Sequence, residues 1–372
     1  MTQSTNPMRR DDGHALKLAV FGVNVSGGCA MTSAPGTLAV TWPETRRLAQ
    51  AADAAGLDGL VPVARWKGMG GQTNFNHRSF EPLTWASAVA AVTERIAVFA
   101  TCHVPTVHPV RLAKEVATVD QVSGGRFCLN IVAGWNEKEI GMFGVPQRDH
   151  DERYDVAEDW ISLCKALWRE SAEFDYSGPY FQSPAAYSEP KPVQEPAPVI
   201  MSAGNSPRGL AFAASHADLN FVVAPDLATA GDNARAVKAM AAEQGREIQV
   251  FGQAYVVCRS SEAEARRFRD RYVQEQGDWE GVRNLLDVLI PNSQSALGDE
   301  WEAMAANLIA GYGALPLVGT PDQVVDGLQA FKDAGLDGVT LSWVDYGEGI
   351  AQYQDQLSPM LVEAELRRPA ER

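Results

Sequence analysis

Two hydrophobic periods alternate along the chain. Short, nearly continuous apolar runs typical of buried strands are followed by segments in which apolar residues recur every three or four positions, as on one helix face. The predicted strands are Leu16–Val23, Leu60–Ala64, Ile96–Val104, Phe127–Val132, Pro198–Ser202, Leu219–Val223, Ile248–Cys258 and Gly338–Val344. The predicted helices are Glu44–Ala55, Leu83–Thr93, Val110–Val122, Arg153–Trp168, Pro207–Ser215, Ala228–Glu243, Glu262–Gln274 and one that begins at Thr320.

This order of elements predicts an α/β fold. Eight strands, most of them followed by a helix, in a chain of 372 residues most simply close into a (β/α)8 TIM barrel. A doubly wound parallel sheet is the alternative. The sequence AGLDG precedes both the second strand, at 55–59, and the eighth, at 334–338, where a helix ends at Gly and the chain turns into a strand. This echo favours the barrel, although shared loop chemistry would also explain it.

Two segments are too long to be ordinary loops. Segment 171–196 is rich in aromatic residues, Pro and Gly, and is predicted to add a small β-ribbon outside the barrel. Segment 277–313 contains Trp279 and Trp301 and either covers part of the barrel mouth or packs between subunits. The polar residues 1–15 are expected to form a disordered tail, so that 16–368 is a single barrel domain with two insertions.

Composition and net charge indicate which kinds of partner the protein binds and in which cellular compartment it is expected. The net charge of −15, without a basic stripe, argues against a nucleic-acid partner. The five cysteines show no CxxC spacing and are expected to be buried thiols in a reducing compartment. Neither a signal peptide nor an apolar run of membrane length is present, so we expect a soluble cytoplasmic protein. The six histidines lack metal-binding spacing, and no metal site is predicted.

Polar residues gather where the predicted strands end. These residues are Arg65, Thr101, Asn130, Trp135 and Glu139. Because the carboxyl ends of barrel strands meet on one face, they predict a site there.

A second polar segment follows the fifth predicted strand. Ser202–Ser206 could hold a phosphate at a helix start, with Arg153 as the countercharge, although helix capping is the simpler explanation of that segment alone.

Several separated motifs, occurring in order, resemble those of the bacterial luciferase-like flavin-dependent monooxygenases. They are Thr106–Arg111 (TVHPVR), Asp120–Phe127 (DQVSGGRF) and Asp151–Tyr154 (DERY), within a resemblance that runs from Leu16 to about Leu361. The resemblance implies a TIM barrel, reduced FMN supplied by a separate NAD(P)H:flavin reductase, O2 as co-substrate, and a homodimer or homotetramer.

Two branches of that family are most similar. Arg65–Gly71 and Asn130–Trp135 resemble the pyrimidine monooxygenase of uracil catabolism, and Val23–Gly28 resembles the dimethylsulfone monooxygenase. The alkanesulfonate branch carries an Arg and a His on the seventh strand, where this chain reads Phe251–Tyr255, so sulfonate recognition is not expected.

The resemblance also implies site residues. FMN would contact Ala64, Arg65, Asn130, Glu139, Arg153, Tyr154 and Ser206. The oxygen pocket would consist of Val61, Thr101, Asn130 and Trp135, with Val61 in place of a larger aliphatic residue. Thr101 would donate to the flavin N5 region or to a flavin N5-peroxide, whose distal oxygen Asn130 would orient.

Two further expectations concern the same region. The resemblance implies a cis peptide between Ala100 and Thr101. His103 and Tyr255 are the candidates for a base, although a lone His at a strand end is more often structural.

Three functions therefore compete. The first is a two-component FMNH2-dependent monooxygenase that oxidises a small heterocycle, amide or organosulfur compound with cleavage of a C–N or C–S bond. The second is a deazaflavin-dependent hydride-transfer oxidoreductase, and the third is a non-catalytic flavin-binding protein. Thr101 and Asn130 favour the first function, because hydride transfer needs no oxygen pocket.

Overall fold

Parallel strands form a closed ring at the centre of the protein. The computed structural model describes residues 4–290 and 292–369. Its strands are β1 (Lys17–Phe21), β2 (Gly59–Val61), β3 (Ala97–His103), β4 (Phe127–Val132), β5 (Phe174–Ser177), β6 (Gln182–Ala186), β7 (Val199–Ser202), β8 (Leu219–Phe221), β9 (Gln249–Cys258), β10 (Leu315–Gly319) and β11 (Gly338–Ser342). The order β1-β2-β3-β4-β7-β8-β9-β11 closes because β11 pairs with β1, so the TIM barrel is confirmed and an open sheet is excluded.

Helices surround this ring. They are α1 (Trp42–Ala54), α2 (Pro82–Ala90), α3 (Pro109–Ser123), α4 (Glu137–Ile140), α5 (His150–Arg169), α6 (Pro207–His216), α7 (Leu227–Glu243), α8 (Glu262–Asp270), α9 (Trp279–Leu289), α10 (Ser293–Leu297), α11 (Trp301–Gly311), α12 (Pro321–Asp333), α13 (Tyr346–Gln352) and α14 (Ser358–Glu363). At the start of α12, Thr320 and Gln323 form the reciprocal capping box. Within the described ranges, no helix has the length and apolar character needed to cross a membrane.

One strand was not predicted. β10 contains Pro316 and pairs with the outer half of β9, opposite Ala254–Cys258. Proline cannot donate to a ladder, and it is tolerated here because β10 lies at the edge of the sheet, outside the ring. Packing in the folded protein therefore stabilises a strand even though it contains Pro316, a residue that disfavours strands.

The apolar core has two main layers. One layer fills the ring itself and includes Phe21, Val61, Phe99 and Phe251, while the other lies between the strands and the surrounding helices. All five cysteines are buried, as expected, and burial raises the pKa of the Cys29 thiol to about 12.

Residues 4–15 differ from the expected disordered tail, of which residues 1–3 lie outside the described part of the chain. Asn6 and Met8 are fully buried, and the Asn6 side-chain amide donates to the Phe127 carbonyl at 3.0 Å. Arg9 donates to the Ala197 carbonyl and to Asp218. The segment is polar, but its side chains satisfy backbone groups at the amino-terminal end of the ring, which sequence composition alone does not reveal.

The two insertions have different structures. Segment 171–196 contains β5 and β6, which pair antiparallel away from the barrel. Segment 277–313, called the roof segment below, contains α9, α10 and α11 and has its own apolar cluster. Leu289 and Leu308 from this segment line the cavity at the carboxyl ends of the strands, so the roof segment covers part of the barrel mouth.

Asp278 ties the roof segment to the loop after β2. Its carboxylate accepts from the Gln72 and Thr73 backbone amides, from the Thr73 hydroxyl and from the Gly281 amide that begins α9. Burial opposes ionisation, but these hydrogen bonds prevail and lower the pKa of Asp278. The charged carboxylate therefore connects two loops that are distant in sequence.

Candidate active site

A cavity of about 450 Å³ opens at the carboxyl ends of the barrel strands. Phe21 and Phe221 contribute to its lining, with ring centroids 5.5 Å apart. Most of the lining is apolar, and a few polar side chains interrupt it. That mixture suits a flat, largely apolar group whose orientation is fixed by a small number of hydrogen bonds.

Thr101 and Asn130 lie opposite each other on β3 and β4 and both line the cavity. The Thr101 hydroxyl donates to the Pro62 carbonyl at 2.6 Å and accepts from the Asn130 amide nitrogen at 3.1 Å. A hydroxyl has a single proton, so this one is already used within the protein. The buried Asn130 side-chain carbonyl oxygen, in contrast, has no partner in the described structure.

Arg65 forms the second polar group of the cavity. It is 4% exposed, and its Nη1 lies 3.4 Å from Oε2 of Glu139, which is 1% exposed. Glu139 also accepts from the backbone amides of Trp66 and Lys67, at 2.9 and 3.0 Å. The Arg65 guanidinium carbon lies 5.2 Å from the centroid of the Trp135 ring. These contacts hold the guanidinium rigidly and compensate its charge.

Tyr154 and Arg153 begin a third part of the site, near the start of α6. The Ser206 hydroxyl caps α6 by accepting from the Gly209 amide at 3.1 Å, which confirms the capping alternative. Burial raises the pKa of Tyr154, and a hydrogen bond with Ser206 opposes that rise. A Cβ atom placed on Gly204 would lie 2.7 Å from the Tyr154 hydroxyl, so only Gly permits this close approach.

These residues fit a flavin phosphate. Arg153 Nη1 donates to the Gly134 carbonyl, while its buried Nε has no partner among the described residues. A cation beside a helix start and a phenol hydroxyl is a suitable set of donors for a phosphate monoester. The apolar part of the cavity, between Phe21 and Ala64, suits the ring system.

The two candidate bases have different surroundings. His103 lines the cavity, and burial together with the Arg65 charge lowers its pKa to about 4, so it is uncharged at neutral pH and a weak proton acceptor. Tyr255 lies outside the cavity and accepts from Arg269 at 3.1 Å. Burial raises the pKa of Tyr255. Tyr255 is therefore removed from the candidate site.

Two other expectations differ from what the structure shows. Val61 packs in the apolar layer inside the ring and does not line the cavity, because the chain reaches the mouth only at Pro62 and beyond. The peptide between Ala100 and Thr101 is trans, since cis bonds occur only before Pro190 and Pro196 in the described residues. β3 keeps an unbroken parallel register with β4 across this point.

The structure brings some of the site residues predicted from the sequence together around one cavity. The predicted residues that line the cavity are Ala64, Arg65, Thr101, Asn130, Trp135, Arg153 and Tyr154. Glu139 and Ser206 do not line the cavity, but Glu139 pairs with Arg65 and Ser206 hydrogen-bonds to Tyr154.

Sequence reasoning missed several lining residues. They are Phe21, Phe221, Gln253, Leu289, Leu308 and Tyr312. Gln253 carried a signal, because a polar residue within the predicted buried strand β9 is unusual. Leu289, Leu308 and Tyr312 carried no such sequence signal, because their approach to the barrel mouth depends on how the roof segment folds.

Comparisons with a family model, with related sequences and with solved structures agree with one another. A family model described as luciferase-like monooxygenase matches residues 20–338. Pyrimidine monooxygenase RutA of Acinetobacter baylyi is 27% identical over 93% of this chain and 95% of its own length. The FMNH2-dependent dimethylsulfone monooxygenase of Pseudomonas putida is 27% identical over 95% and 98%. The crystal structure of long-chain alkane monooxygenase LadA shares the fold, with a TM-score of 0.83, 23% identity and coverage of 96% and 93%.

Proposed function

Since the chain belongs to the luciferase-like monooxygenase family, we propose that it is the oxygenase of a two-component system. A separate NAD(P)H:flavin reductase would supply reduced FMN, and O2 would be the co-substrate. The substrate would be a small heterocycle, amide or organosulfur compound that is cleaved at a C–N or C–S bond. Relatives named for a pyrimidine and for dimethylsulfone support this range.

The observation that carries the proposal is the pair Thr101–Asn130 in an apolar, partly covered cavity. Bound FMN, once reduced, supplies the electrons that activate O2. The protein must keep bulk water away from that reaction, and the apolar lining and the roof segment serve this purpose. Asn130 would present the second N–H of its amide to oxygen at a fixed position, because the first N–H is held by Thr101.

The other polar residues bind and orient. Arg153, Tyr154 and the start of α6 would hold the FMN phosphate. Arg65, compensated by Glu139, would present a guanidinium beside the ring system without adding net charge to the site. Neutral His103 is unsuited to act as the proton acceptor, so the proposal assigns it no such role.

A reductase-coupled assay tests the proposal. Oxygen uptake, peroxide and product would be measured with NADH, FMN and an added flavin reductase, using uracil, cyclic amides and sulfones as substrates. We expect FMN-dependent incorporation of one atom of ¹⁸O2 into product. Asn130→Leu should bind FMN but divert oxygen to peroxide. Hydride transfer to a deazaflavin without oxygen uptake, or flavin binding without any turnover, would reject the proposal.

A further inference from the structure

Tyr312 occupies an unusual position at the end of α11. Its backbone is left-handed, with φ 59° and ψ 37°, a conformation that glycine adopts freely and a bulky residue does not. Gly313 follows directly. Strain of this kind at a cavity points to a functional role for the side chain that maintains it.

The Tyr312 side chain connects the roof segment to the barrel. It lines the cavity, packs against both the roof cluster and the layer inside the ring, and lies 5.6 Å from the Phe75 ring. Its hydroxyl oxygen accepts from Arg65 Nη2 at 2.8 Å. The phenol is thus fixed at the cavity by a group that also lines it.

The direction of this hydrogen bond determines whether the Tyr312 hydroxyl can donate a hydrogen bond to a ligand. A guanidinium only donates, so the Tyr312 oxygen is the acceptor and its own proton is left over. Within residues 4–290 and 292–369, that proton has no acceptor. Tyr312 can therefore donate one hydrogen bond to a molecule in the cavity.

The charges around this donor favour an uncharged ligand. Glu139 compensates Arg65, and the charge of Arg153, whose Nε has no partner among the described residues, is assigned by the proposed function to the FMN phosphate. With the FMN phosphate on Arg153, an anionic substrate would have no uncompensated cation to pair with in this cavity. The remaining polar side chain near the roof segment, Gln253, is neutral and donates weakly to the Gly311 carbonyl at 3.4 Å.

We propose that Tyr312 is a specificity-determining residue, whose hydroxyl donates to a carbonyl or sulfonyl oxygen of an uncharged substrate. The inference rests on the proposed function to the extent that it takes this cavity as the substrate site. It adds a residue of the roof segment to the barrel residues that hold the flavin.

Binding of matched probes tests this role without turnover. Ligand-observed NMR would give dissociation constants, with oxidised FMN present and absent, for dimethyl sulfone against dimethyl sulfide and for cyclopentanone against cyclopentane. Methanesulfonate would serve as the anionic probe. Wild type, Tyr312→Phe and Tyr272→Phe would be compared. Tyr272 is the matched control, because its hydroxyl bonds to Ala310 in the roof segment at 3.0 Å without lining the cavity.

We expect the wild type to bind the oxygen-bearing member of each pair about 3- to 10-fold more tightly, as one neutral hydrogen bond allows. Tyr312→Phe should lose this preference, and Tyr272→Phe should keep it. A wild type without preference, a preference that survives Tyr312→Phe, an equal loss in both variants, or tighter binding of methanesulfonate would each overturn the inference. Oxygen uptake is measured separately, so failure of the proposed function would leave these binding results interpretable.

Discussion

The Asn130 amide nitrogen donates to the Thr101 hydroxyl at 3.1 Å, across the neighbouring strands β3 and β4. Thr101 in turn donates to the Pro62 carbonyl, so it cannot donate into the cavity as the sequence suggested. This chain of bonds leaves one N–H of the Asn130 amide as a donor and its carbonyl oxygen as an unpartnered acceptor. Under the proposed function, Thr101 would consequently position Asn130, and Asn130 would be the residue that faces the reactants.

Thr101→Val is expected to lower product yield with little change in FMN affinity. Valine keeps the shape but removes the acceptor that orients Asn130, and a loss of about 10- to 100-fold in coupled oxygenation is expected, up to the scale of one lost oxyanion-type donor. The measurement is product formed and peroxide released per O2 consumed. Thr101→Ser preserves both hydrogen bonds and should restore coupling. Full product yield in Thr101→Val would exclude the positioning role.

Arg153→Ala is expected to weaken FMN binding by about 10-fold or more, because a charge-assisted bond to phosphate is lost. Riboflavin, which lacks the phosphate, should bind the variant and the wild type equally. Fluorescence titration with both flavins measures this difference. Arg148→Ala removes the same charge from a residue that pairs with Glu152 and does not line the cavity, so it should leave FMN affinity unchanged. Equal losses for FMN and riboflavin would remove Arg153 from the phosphate site.

Asp278→Ala is expected to loosen the cover of the cavity. The substitution removes all four hydrogen bonds that the carboxylate accepts, including those from Thr73, and should cost about 1–3 kcal/mol of stability. Faster amide exchange in residues 66–76, together with more peroxide per O2, would follow. Asp287→Ala is the control, since the hydrogen bonds of the Asp287 carboxylate to described residues go only to Ser293 within the roof segment. Unchanged exchange in residues 66–76 would contradict the role of Asp278.

Stability should fall in mildly acidic solution because of His103. Its pKa is lowered to about 4 from 6.5 by burial and by Arg65, so the unfolded chain takes up the proton at a higher pH. The contribution of His103 to the free energy of unfolding is complete above pH 6.5 and is lost as the pH falls towards about 4. The total loss from this residue is at most roughly 3 kcal/mol. Urea unfolding from pH 7.5 to 4.5 measures the slope.

His103→Gln should make that slope smaller. Burial and the Lys165 charge also lower the pKa of His216 to about 4, so part of the slope should remain until His216→Gln is added. An unchanged slope in the double variant would show that neither histidine is responsible.

A homodimer or homotetramer is expected in solution, from the family resemblance and because symmetric assemblies are common among enzymes. Light scattering combined with size-exclusion chromatography, over a range of micromolar concentrations, measures the mass. A mass of 40.2 kDa throughout would contradict the expectation.

The order of strands and helices along the chain was enough to predict the barrel and many of the residues that line its cavity. Strand and helix periods are local properties, and β4 lies at its predicted position, Phe127–Val132. Arg65, Thr101 and Asn130 could be grouped in advance because the carboxyl ends of barrel strands necessarily meet.

Long-range packing, in contrast, determines which side chains reach the cavity and which of their protons are free to bind a ligand. Val61 and Tyr255 lie on predicted strands, but depth along the barrel and contacts outside it remove them from the site. Tyr312 joins the site because long-range packing brings the roof segment onto Arg65, 247 positions earlier in the chain. Such contacts depend on burial and hydrogen-bond geometry between distant segments, which no local pattern encodes.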